Sequence, residues 1–178
     1  MIVNKQAVLK AMVRIARSRI SSARVRVVTV NSSHTFAQQL SVFASCDLMV
    51  SVHGSQNANV MFMRAGAAFM ELNPHKFFYS SYEALSSISR VLYLPSRHNI
   101  IADASNLSQS VKKQDAYKKK KEAFLREFGK RNDVQCQEIS RCRALSRNFP
   151  TIINMSDFER EFARGLDHLA TTIPQSSG

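Results

Sequence analysis

Between residues 47 and 74 an apolar run, Leu48–Val52, breaks on the polar step His53-Gly54-Ser55, and a second apolar run, 67–72, ends on Glu71, Asn73 and Pro74. Continuous apolar runs of this length suit parallel strands buried on both faces. A short polar step carrying a glycine suits a turn that opens a helix. Together they predict a strand, a loop, a helix over 56–63 and a second strand. In α/β domains, helix N-termini at the carboxyl ends of strands present backbone amides and the positive end of the dipole to an anion.

The same alternation extends in both directions. Helical spacing of Val8, Met12, Ile15 and Ala16 predicts a helix over 3–19, and the β-branched run 25–30 reads as a strand. Ser33 or Thr35 caps a helix over 35–45, a helix over 78–89 follows the second apolar run, and 91–94 reads as a strand closed by Pro95. Four strand and helix pairs within 100 residues imply βαβ units: a Rossmann-like parallel sheet with helices on both faces. Right-handed crossovers place every strand's carboxyl end on one edge. Asn31, His34, His53, Ser55, Glu71 and Asn73 are expected there.

Residues 96–110 are polar and loop-like, and 111–131 is a helix carrying a lysine run at 118–121. Thr151 begins a short strand, after which Ser156 or Asp157 caps an amphipathic helix with Phe158, Phe162, Leu166 and Leu169 on one stripe. The chain therefore reads as a single lobe over 1–174 with a Lys-rich insert at about 96–147, and 175–178 as a disordered tail.

Charge bounds the chemistry. With 25 basic and 13 acidic residues the net charge is +12, which suits polyanionic partners or simply a well-solvated surface. The chain carries no nucleic-acid motif and no aromatic interleaving of its basic residues, so no nucleic-acid partner is expected. Residues 1–100 hold only three carboxylates, Asp47, Glu71 and Glu83, so a general base has few candidates here. No run approaches the roughly 20 apolar residues of a membrane span. Cys136 and Cys142 pair if the compartment oxidises them and stay free otherwise. Sequons at Asn31, Asn106 and Asn154 are acceptors only in a secretory lumen.

Within the predicted edge, Gly54 allows a turn and the close approach of a ligand, and Ser55 caps the helix or bonds a phosphate. His53 donates to a diphosphate or sugar hydroxyl, or satisfies a buried carbonyl. Asn59 braces the loop. Glu71 needs a donor wherever it is buried; a ribose diol, a backbone amide and Arg64 are the candidates. Asp47 lies on the far edge.

The ordered series Thr35-Phe36, Asp47 to Ser55, Asn59 to Met63 and Gly66 to Pro74 resembles glycosyltransferase family 61, as does Arg147-Asn148 followed by 153–158 and a helix. The resemblance covers about 1–95 and 147–170. It implies the C-terminal, donor-binding lobe of a GT-B enzyme that transfers a sugar with inversion and without a metal, from a nucleotide sugar, usually a UDP-sugar, to a glycan or glycoprotein acceptor. His53, Gly54, Ser55, Asn59 and Glu71 would hold the donor, with Asn31, His34, Arg64 and Asn73 as further contacts and no metal or other cofactor. The catalytic base would lie in a facing N-terminal lobe. A Golgi or endoplasmic reticulum lumen is implied, with membrane contact only through an N-terminal anchor outside this chain. The family usually reads His-Gly-Ala-Gly-Leu-x-Asn here. Gln56 in place of the second glycine narrows the room for a diphosphate, and leaves a non-catalytic binding or scaffold module as the alternative, with a basic nucleic-acid-binding protein, favoured by charge alone, as the third.

Overall fold

The computed structural model describes residues 1–29, 33–107 and 111–172. Its centre is a parallel sheet of three strands in the order β1 (Leu48–Val52), β2 (Ala68–Leu72), β3 (Leu92–Ser96), with Val50 opposite Met70 and Met70 opposite Leu94. Every residue of the central strand β2 is buried. Strand periodicity sends Leu48, Val50, Ala68, Met70, Leu72 and Leu94 to one face, where α1 (Lys5–Arg19) and α7 (Met155–Thr172) cover them. Met49, Phe69, Val91 and Tyr93 face the other way, against α2 (Phe36–Ala44), a 3-10 helix (Ser55–Phe62) and α3 (Ser81–Ile88). The fold is α/β and Rossmann-like, with helices on both faces. Gly165 lets α7 lie against the sheet, because a Cβ there would stand 2.7 Å from Leu48 Cδ1 and from Leu94 Cδ1.

Four expectations are corrected. Residues 25–29 of the expected strand 25–30 join no ladder, and Val27 is 56% exposed; β1 is the sheet's edge and the segment has no strand beside it. Its last residue lies outside the described residues. The helix after His53 is a 3-10 helix. Pro95 does not close its strand but sits inside β3, opposite Glu71, which an edge strand tolerates because proline's missing donor costs no ladder bond on the open side. Neither Ser156 nor Asp157 caps α7: Asn154 Oδ1 accepts from the Asp157 amide at 3.2 Å. Thr35, by contrast, caps α2 in a reciprocal box with Gln38.

The insert builds its own small core. β4 (Ile100–Ile101) pairs antiparallel with β5 (Thr151–Ile152), and α4 (Val111–Phe128), α5 (Asp133–Glu138) and α6 (Ser140–Ser146) enclose Phe124, Phe128, Phe149 and a Cys136–Cys142 disulfide. Lys76, in the turn after β2, ties this unit to the sheet. Its Nζ donates to the carbonyls of Phe128 at 3.0 Å, Gly129 at 2.5 Å and Arg131 at 2.5 Å, at the C-terminus of α4. Among the described residues no helix is long and apolar enough to cross a membrane. The tail 175–178 lies outside the described residues.

Candidate functional site

Because β1 and β2 run parallel, the residues that follow them emerge together. The His53 amide donates to the Leu72 carbonyl at 3.1 Å, one step beyond the ladder. A cleft of about 410 Å³ opens at this edge. His53, Gly54, Ser55, Leu72 and Pro74 form one wall, and Met1, Ile2, Arg147, Asn148 and Thr151 complete it.

Beneath the cleft lies a buried carboxylate. Glu71 occupies the face of β2 that looks toward the 3-10 helix, and its side chain is fully buried. Its Oε1 accepts from His53 Nδ1 at 2.7 Å and from Asn57 Nδ2 at 3.4 Å, and its Oε2 accepts from the Tyr93 hydroxyl at 2.5 Å. Three donors supply what a buried charge requires. Burial and then the Glu71 charge push the Tyr93 hydroxyl far above the ordinary phenol range, so it stays a donor. The same two causes raise Tyr82. The His53 ring stands 4.4 Å from the Phe77 ring and 5.5 Å from that of Tyr82, and 15% of its side chain remains exposed. Glu71 therefore cannot touch a ribose directly, as the sequence reading allowed; it reaches the cleft through His53.

The loop above is braced from below. The Tyr82 hydroxyl donates to the Gly54 carbonyl at 2.7 Å, and Asn57 Nδ2 donates to the Val52 carbonyl at 3.2 Å while its Oδ1 accepts from Ser51 Oγ at 2.8 Å. The first bond of the 3-10 helix runs from the Asn57 amide to Gly54, so the amides of Gly54, Ser55 and Gln56 precede it. Two expectations change here. Gly54 has φ 178°, extended backbone open to any residue, so what it supplies is space and not a turn. Gln56 folds into that space: a Cβ on Gly54 would lie 2.5 Å from Gln56 Oε1. The brace is Asn57, fully buried, and not Asn59, which is half-buried and lies off the cleft.

The remaining candidates separate. Arg64 pairs with Asp47 at 2.7 Å, at the amino end of β1. Five strand residues at roughly 3.3 Å each set it about 17 Å from His53, too far to meet a diphosphate held there. Asn73 is fully buried beside Tyr93 and does not line the cleft. His34 is half-buried ahead of α2, its carbonyl accepting from Gln39 Nε2 at 3.2 Å, and is not among the lining residues. Asn31 lies outside the described residues. Of the expected site, the structure brings together His53, Gly54 and Ser55, with Glu71 behind them. The sequence reading missed Tyr93, whose role depends on strand register, Tyr82 and Asn57, whose roles depend on how their helices pack on the sheet, and Arg147. Arg147 belongs to a segment that carried the family resemblance, which was its only signal. Its guanidinium is exposed and forms no ion pair among the described residues.

Residues 1–70 match the sequence model of the family described as Glycosyltransferase 61. The match spans α1, α2, β1, the His53 loop and most of β2, and stops one residue before Glu71. It agrees with membership of that family and supports a glycosyltransferase family for the chain. Comparison with curated proteins gave no match.

Proposed function

We propose that the cleft is the donor site of a glycosyltransferase lobe, holding a nucleotide sugar, most simply a UDP-sugar, by its diphosphate. The observation that carries this reading is the His53-Gly54-Ser55 loop. It lies within the span that matches the family, and its three residues line the cleft together with Arg147. In an inverting transfer a base removes the acceptor hydroxyl's proton while the departing diphosphate gains charge. This chain serves the second half: the loop amides, His53 and Arg147 stabilise the leaving group. The base and the glycan or glycoprotein acceptor belong to a facing lobe, and no metal takes part. A Golgi or endoplasmic reticulum lumen suits the Cys136–Cys142 disulfide, since such bonds persist in oxidising compartments.

Titration calorimetry with UDP, a UDP-sugar and uridine tests the reading. UDP and the UDP-sugar should bind saturably and uridine far more weakly, because the diphosphate carries the contacts. Absence of saturable binding by both would overturn it and favour a scaffold module. One observation favours that second reading, the Gln56 side chain lying over Gly54.

A further inference from the structure

His53 is held by its inner nitrogen alone. Nδ1 faces the Glu71 carboxylate at 2.7 Å, while Nε2 makes no hydrogen bond among the described residues, on a ring that lines the cleft. A carboxylate hydrogen-bonded to one imidazole nitrogen fixes the proton there, and fixes which nitrogen is offered outward. Here the carboxylate is itself immobilised by Tyr93 and Asn57, and the ring is confined between Phe77 and Tyr82. So rigid a mounting is more than a histidine needs to satisfy one carbonyl.

We propose that Glu71 is a positioning residue that, through Nδ1, makes His53 an oriented donor, whose Nε2 takes up a proton from solvent as a phosphate oxyanion enters the cleft. An anion at Nε2 favours the charged ring, and a carboxylate at Nδ1 does so from the other side. The ligand class is a phosphate or diphosphate group, carried by a nucleotide or free. This deepens the donor-site reading and rests on it for the identity of the anion. The charged and titratable groups around the ring are Glu71 from β2, Tyr93 behind it from β3 and Tyr82 from α3. Arg147 lines the cleft. The tyrosine hydroxyls stay protonated near neutrality. His53 is the loop side chain placed to take up the proton, and because phosphate groups themselves ionise near neutrality, the ligand's own ionisation is measured in free solution and subtracted.

Calorimetry with pyrophosphate, run in buffers of different protonation heat at about pH 6 and about pH 8, separates these. Wild type should bind more tightly at the lower pH and take up protons at the higher. His53→Gln should abolish the uptake. Glu71→Gln keeps an acceptor for Nδ1 and the buried shape but removes the charge, so affinity at about pH 6 should fall about tenfold with little change in melting temperature. Unchanged affinity and pH profile in Glu71→Gln, or proton uptake that survives His53→Gln, would overturn the proposal. Should Glu71→Gln fail to fold, Tyr93→Phe serves in its place. It removes one donor to the carboxylate, so it should alter the pH profile of binding as well as stability. A change in stability alone counts against the dyad. Parallel titrations with UDP-sugar keep the two readings apart. Pyrophosphate behaviour as described with no added affinity for UDP-sugar leaves the dyad standing and ends the nucleotide assignment. Tight, pH-independent UDP-sugar binding by both variants does the reverse.

Discussion

At the scale of single residues, the cleft is governed by which side chains lie over the loop and which lie under it. Gln56 lies over it, with its amide in the space beside Gly54, so Gln56→Ala should enlarge the cradle and tighten UDP binding, whereas a scaffold would show no gain. Arg147 lines the same cleft, exposed and without an ion pair among the described residues. Arg147→Ala should therefore weaken UDP binding by about 1.5–3 kcal/mol, the range for a hydrogen bond to a charged group, and leave the melting temperature unmoved. Calorimetry and a thermal melt on both variants check this, and a loss of stability with intact affinity would remove Arg147 from the site. His53 and Ser55 were legible because a polar step after an apolar run has few other uses. Arg147 was not, since an arginine far along the chain gives no sign of which loop it will face. Glu71 was legible as a carboxylate that needed a donor, yet its partner was missed. The residue that meets it is set by register, and no spacing in the sequence states that Tyr93 will lie beside it.

At the scale of elements, β1 and β2 could be read almost to the residue because each is a largely apolar run, broken only by Ser51 and Glu71, flanked by turns. Residues 25–30 had the same composition, and 25–29 are not in a strand; β-branched residues favour a ladder only where a neighbour is available to pair. The turn His75-Lys76 carried no signal either, since a histidine and a lysine after Pro74 read as surface. It is instead the clamp between sheet and insert: Lys76 serves the end of α4, and His75 Nδ1 donates to the Asn99 carbonyl at 2.7 Å. Burial holds the His75 ring below the ordinary imidazole value of 6.5, with the Lys76 and Lys121 charges adding to the effect against the hydrogen bond and Asp133. The unfolded chain then binds a proton that the folded chain resists. This part of the stability is present above about pH 6.5 and is lost as pH falls toward the lower folded value. Denaturant unfolding at stepped pH should show the decline, and His75→Gln, which keeps a donor to the Asn99 carbonyl, should flatten it. An unchanged slope in that variant would place the acid sensitivity elsewhere.

For the whole molecule, sheet, insert and the first residues of the chain converge on one edge. β1 and β2 deliver the loop, Lys76 fastens the insert that carries Arg147, and Ile2 bridges to Thr151 while Asn4 bonds both the amide and the carbonyl of Ile153 at 2.9 Å. One wall of the cleft is thereby held in register. Transfer demands more, because much of a catalyst's rate comes from fixing the acceptor hydroxyl and its base against the donor carbon, and a 1 Å error there is costly. In a two-lobed enzyme those groups come from the facing lobe, and the described residues build one parallel sheet, not two. The purified 178-residue chain should accordingly bind a UDP-sugar weakly and transfer no sugar to glycan or glycoprotein acceptors. Incubation with radiolabelled donor, with and without acceptor, measures both transfer and slow hydrolysis. Hydrolysis without transfer fits a cleft that stabilises the leaving diphosphate but lacks an acceptor site. Sustained transfer by this chain alone would mean that base and acceptor site lie within the cleft already described, and His53, the titratable side chain on its loop, would then be the first residue to test as that base.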